Sequence, residues 1–240
     1  MKQKNIIKIP FLLCWIAGFL LAACDSGDIY PEKKHVEEMK MSVNAVFHFE
    51  NIEAFPQNYR IVWGAFIGTS PYPLASEIVS ASESWEAEPL QSVPKGTSYM
   101  ALALVEKTEI KAKYIFAKFP IDNSSTAMNI SETVDLARFE RVQAQVFTPQ
   151  CIQCHGGGGL AAELDLTENN AYANLVDVPS LADNSPKNRV TKHSLQNSFL
   201  IDVLTTQIPT VTTNHVTLST LDADDDIALV RAWIMNENEE

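Results

Sequence analysis

Two thiols and an imidazole within five residues, Cys151-Ile152-Gln153-Cys154-His155, constrain this chain more than any other stretch. The pattern is C-x-x-C-H, that of c-type haem attachment. Two thiols at this spacing can add across the two vinyl groups of one haem. The histidine that follows is then tethered beneath the ring, where its imidazole can ligate iron. C-x-x-C alone also suits half of a zinc site or a redox dithiol. A zinc site needs further ligands, usually at short spacing, and His35, His48, His193 and His215 all lie far away in sequence. A thioredoxin-like dithiol belongs beside a βαβ pattern, which the surrounding residues lack. The run Gly156-Gly157-Gly158-Gly159 supplies backbone free to pass close to a flat ring. One covalent haem c on Cys151 and Cys154, with His155 on the iron, is the expected cofactor, and it points to one-electron chemistry.

The amino terminus sets the compartment. Lys2, Lys4 and Lys8 precede an apolar run from Phe11 to Leu20, and Leu21-Ala22-Ala23-Cys24 closes it. Residues 1–23 therefore read as a secretory signal, too short and wrongly flanked for a stable membrane span. The ending resembles a bacterial lipoprotein box, which implies that Cys24 is acylated and becomes the first mature residue. An ordinary cleavable signal or an uncleaved anchor is the competing reading. Each reading sends the mature chain out of the cytoplasm, to the cell envelope and the periplasm or cell surface. Cys14 leaves with the signal, Cys24 carries lipid and Cys151 and Cys154 carry haem, so all four cysteines are used and none is left for a disulfide.

Removing residues 1–23 leaves 217 residues and takes the formal charge from −12 to −15. A surface this acidic excludes nucleic acid and anionic lipid headgroups as partners. It suits a soluble carrier whose partners are redox proteins, held at the membrane through its lipid.

Composition shifts divide the mature chain. Residues 24–40 are polar and charged and read as a tether. Residues 41–136 read as a β-sandwich domain, immunoglobulin-like in class. Val43, Ala45, Phe47 and Phe49 alternate with Asn44, His48 and Glu50, and turn-punctuated apolar runs follow around Ile61–Phe66, Tyr99–Val105 and Lys113–Phe119. Residues 137–240 change to helical spacing. Phe139, Val142 and Val146 recur ahead of the C-x-x-C-H stretch, Asn170–Leu175 reads as a short helix, Ser194 is a candidate cap for the next, and Asp222 for the last.

The pieces Val142–Phe147, Cys151–Gly156, Ala161–Leu166, Tyr172–Val176, Val178-Pro179-Ser180, Arg189-Val190, Ser198–Leu200 and Leu229–Ile234 together resemble a small class I cytochrome c domain. The resemblance covers most of residues 138–236. It implies an all-α cytochrome c-like C-terminal domain in which His155 is the proximal ligand and the terminal helices pack, with Phe139 and Val142 against Val230 and Trp233.

One departure matters. Such domains commonly carry a distal methionine in a Met-Pro pair, and this chain has Gln207-Ile208-Pro209 there. Ile208 cannot ligate iron. His215 in the same loop is the leading candidate for the sixth position. An open site, His193 and a methionine such as Met235 remain as alternatives. The function expected is that of a lipid-anchored monohaem c-type cytochrome that carries single electrons and is not itself an enzyme. A haem-based sensor with an open sixth site and an accessory binding lipoprotein with a structural haem are the rivals.

Overall fold

A computed structural model describes residues 38–122, 124–158, 161, 163–181, 186–218 and 220–237. The signal segment, Cys24 and most of the tether lie outside the described residues.

Strand β1 (Glu38–Glu50) organises the first sheet. Its alternation is literal: Met41, Val43, Ala45, Phe47 and Phe49 are buried, while Asn44, His48 and Glu50 are exposed. Two short strands, β4 (Ser84–Glu86) and β5 (Leu90–Pro94), pair antiparallel with different parts of β1. Along its other edge runs β8 (Ala127–Asp135), parallel and in register from Ser42↔Ala127 to Glu50↔Asp135. The second sheet has the order β3-β2-β6-β7, built from β3 (Ala75–Ile78), β2 (Tyr59–Phe66), β6 (Tyr99–Glu106) and β7 (Ala112–Pro120), with antiparallel neighbours throughout. The two sheets face one another through aromatic contacts. The Phe47 ring lies 5.2 Å from Trp63 and 6.2 Å from Phe119, centroid to centroid. Strand β6 is an unbroken apolar run because it is buried on both faces. Its outer face packs with Val62 and Phe66 in a smaller cluster, against Ala112 and Ile115 of β7.

After β8 the chain becomes helical. Helix α1 (Phe139–Val142) runs without a break into a π-helical stretch (Gln143–Cys151) and then α2 (Ile152–His155). Short helices follow: α3 (Ala171–Leu175), α4 (Phe199–Thr205) and α5 (His215–Leu218). A second π-helical stretch (Ala223–Ile227) leads into α6 (Ala228–Asn236). Asp222 caps that stretch, its side chain accepting from the amides of Asp224 and Asp225. No helix among the described residues is long and apolar enough to cross a membrane.

The expected fold class, an immunoglobulin-like sandwich followed by an all-α cytochrome c-like domain, is overturned. The described residues are mainly two β-sheets with short helical pieces. Those pieces do not gather into an all-α domain, for two physical reasons. Outside the runs Phe139–His155 and Ala223–Asn236 each is short, four to seven residues, and chain between them is held by turns and by the isolated bridges Val176↔Val190, Pro179↔Asn188 and Asn188↔Ser198. The next-to-last segment shows the effect: Ser194–Asn197 is non-helical, and α4 begins only after Ser198. The helical pieces also share their apolar interior with the sheets. Val142, Val146, Phe147, Leu229, Val230 and Trp233 belong to the same buried cluster as Phe47, Trp63 and Leu102.

The seam between helices and sheets is the β1–β2 connection. Asp225 is buried there and accepts from the backbone amides of Gln57 and of Asn58, the latter over 2.6 Å. Asn236 donates to Glu53 over 3.0 Å. On the helical side the Phe139 ring sits 5.1 Å from Trp233, and Trp233 donates from its indole to Glu237. A tryptophan buried to 1 % exposure contributes on the order of 3 kcal/mol through its apolar area.

Candidate functional site

The helical run that begins at Phe139 delivers the C-x-x-C-H residues as a group. Residues three and four apart on a helix share a face. Cys151 ends the π-helical stretch, so Cys154 and His155 stand at i+3 and i+4 from it on α2. Pro149 lies inside the π-helical stretch, where its missing N–H removes one backbone bond. Pi-type turns are rare and frequent at functional sites. Cys151 is half-buried and Cys154 exposed, so one thiol faces the interior and one faces solvent.

The carbonyls at the end of α2 are satisfied by the loop that follows. Ala161 donates to the Cys154 carbonyl over 3.1 Å and Leu166 to the His155 carbonyl over 2.7 Å. This fold-back requires glycine twice. A Cβ on Gly156 would run into the Ile152 carbonyl, and Gly157 has φ +42 with a would-be Cβ 2.9 Å from Asp165 Oδ2. Asp165 in turn accepts from the amide and hydroxyl of Thr167 and from Asn170 Nδ2, at 2.9, 2.7 and 2.7 Å. Those bonds hold its carboxyl below the usual carboxylate range. Arg189 ties the neighbouring segments, donating to the carbonyls of Asn174 (2.8 Å) and Glu163 (3.1 Å).

His155 is the chemically open group. Its Nδ1 is buried and has no hydrogen-bond partner. Burial lowers its pKa, the nearby His215 adds to that, and backbone oxygens of Leu164 and Ala161 oppose it. The net direction favours neutral imidazole, the form that binds metals. His215, at the start of α5, has its ring centre 6.1 Å from that of His155, with planes 22° apart. Thr220 Oγ1 donates to Gln150 Oε1 over 2.8 Å, tying the chain after α5 to the residue before Cys151.

The other sequence candidates lie elsewhere. His193 has φ +56, its amide donates to the Ile234 carbonyl, and its Nδ1 is bonded to the Met235 carbonyl at 2.9 Å. Met235 is itself 42 % exposed on α6. His48 is exposed on β1, and Ile208 offers no donor. Sequence reasoning missed the Gln150–Thr220 tie, which no local pattern announces. It also missed the Asp165 brace, which the Asp-x-Thr spacing of an Asx turn could have flagged.

These positions sort the chemistries open to the motif. Burial pushes the Cys151 thiol up to about 12, which opposes the reactive thiolate a redox dithiol needs. Among the described residues no three His, Cys, Asp or Glu side chains converge on one point, so the four donors of a structural zinc site are not assembled. A covalently attached haem asks for two thiols and an imidazole close together on one helical run, and Cys151, Cys154 and His155 are such a set. The chain matches no family model, no curated protein and no solved structure.

Proposed function

We propose that this chain is a monohaem c-type cytochrome of the cell envelope that carries single electrons between partner proteins. One observation carries the reading. Cys151, Cys154 and His155 stand at i, i+3 and i+4 on one helical run, and the buried Nδ1 of His155 has no partner in the protein. Cys151 and Cys154 would hold the haem by thioether bonds, and His155 would supply the proximal ligand. When bound, the group supplies a one-electron couple. The protein's own contribution is to fix these three side chains. The Ala161 and Leu166 amides anchor the end of α2, and the shared core prevents the helical run from shifting against the sheets. Cys24 would anchor the chain in a membrane through lipid, leaving the described residues outside the cytoplasm. The charge of the mature chain supports redox proteins, and not nucleic acid, as its partners.

The test is covalent haem itself. Expressed with a c-type maturation system, the chain should give a band with haem peroxidase stain on a denaturing gel. Cys151→Ala with Cys154→Ala should abolish it. A wild-type band without stain would refute the reading. The anchor is tested separately: Cys24→Ser should leave the membrane fraction or remain uncleaved, and an unmodified Cys24 by mass spectrometry removes the lipid.

A further inference from the structure

Two imidazoles from distant parts of the chain end ring to ring, and one residue before the motif is bonded to the arm that brings the second. The ring centres of His155 and His215 lie 6.1 Å apart, within the reach of two imidazoles bound to one iron through metal–nitrogen bonds of about 2 Å each. The planes are within 22° of parallel. The arm carrying His215 is braced locally at its start and tied to the motif's helical run beyond α5. Asn214 Oδ1 accepts from the Val216 amide over 3.2 Å, and the Asn214 carbonyl accepts from the Thr217 hydroxyl over 3.2 Å. Beyond α5, Thr220 is bonded to Gln150 over 2.8 Å, on the same helical run as His155.

We propose that His215 is the second axial ligand of the haem held at Cys151, Cys154 and His155, and that the Gln150–Thr220 hydrogen bond is its positioning contact. The proposal rests on the haem reading above and sharpens it, since a closed sixth position suits a carrier of electrons and not a sensor whose sixth site is open. His193 is held elsewhere, at the end of α6, through its Nδ1 and its amide. The Gln150–Thr220 bond is exposed to solvent, so it can be removed without opening the core.

The experiment compares ferric and ferrous absorption spectra, and carbon monoxide binding, of haem-loaded wild type with His215→Ala, His215→Met, Thr220→Val and His193→Ala. Wild type should be low-spin, bind carbon monoxide only slowly, and lack the methionine–iron charge-transfer band that a thioether ligand would give. His215→Ala should turn high-spin and bind carbon monoxide, and added imidazole should restore the low-spin spectrum. His215→Met should acquire the missing band. Thr220→Val should keep its full haem content but admit carbon monoxide about five-fold faster, the worth of one exposed hydrogen bond. His193→Ala should match wild type. A high-spin wild type, or a His215→Ala protein with unchanged spectra, overturns the ligand assignment while leaving the haem reading standing. Unchanged carbon monoxide kinetics in Thr220→Val overturn the positioning contact. A wild type without covalent haem overturns both.

Discussion

Arg141 Nη1 donates to the Ala54 carbonyl over 2.7 Å, and so locks the helical run onto the β1–β2 connection from inside the core. The same nitrogen donates to the Leu136 carbonyl over 2.6 Å, and Nε reaches Gln145 Oε1 at 3.3 Å. The side chain has no exposed surface, and its Nη2 has no partner. Burial lowers its pKa to about 10, against the pull of Asp225, Tyr114 and Asp226, so it remains charged at neutral pH.

Truncating this residue strands two carbonyls in the core. Arg141→Ala should cost about 3–5 kcal/mol, the usual effect of breaking a buried charged network. Arg141→Lys should fall between, because one ammonium cannot reproduce the planar fork. Urea unfolding midpoints measure both, and a loss below about 1 kcal/mol for Arg141→Ala would contradict this account.

Asp226 should give stability an unusual pH dependence. Burial raises its pKa, and the charges of Asp225 and Asp222 add to this, while bonds from the Asp222 amide and Gln145 oppose it. A carboxyl raised on folding is favoured in its protonated form. Its stabilisation is complete below the ordinary aspartate value of about 4 and is lost as pH climbs through the raised value. Asp226→Asn removes this titration. Its stability relative to wild type should therefore improve as pH goes from about 4 to 7. Denaturant unfolding across that range reads the trend, and a flat or reversed difference would rule it out.

Gly157 is held at φ +42 against Asp165. Gly157→Ala should cost about 1–2 kcal/mol through the backbone conformation and the close approach to the carboxylate. Combining it with Asp165→Ala should cost less than the sum of the two changes, because the second removes the obstructing atoms. Thermal unfolding of the four proteins measures the coupling, and strict additivity would show that the contact does not matter.

What could be read from the residues follows their range. The alternation in β1 was legible because each buried face is encoded within a few positions, and the C-x-x-C-H set because its spacing is local. The parallel pairing of β1 with β8 was not, since Asn44 meets Asn129 across 85 residues. Helical spacing around Phe139 and Trp233 suggested a self-contained helical domain. It could not reveal that Arg141 and Asp225 would attach those segments to the sheets. Leu90–Pro94, with only Leu90 and Val93 apolar before its proline, has no alternation to announce a strand, yet it pairs with the start of β1. At the site, proximity of His215 to the motif was suggested only by the loop it shares with Ile208, and the commitment of His193 to the Met235 carbonyl had no sequence signal.

The parallel β1–β8 ladder also sets a timetable for assembly. A chain that emerges amino terminus first presents β1 long before its full-length partner exists, and contacts of such sequence separation form slowly. Until Asp135 has emerged, one edge of β1 stands open from Ser42 to Glu50, as a template for pairing with another chain. Cys151 and Cys154 follow β8 within a short span. The thiols therefore come into the open just as that edge closes, so β-sheet completion and the haem attachment proposed above would fall in the same interval of maturation.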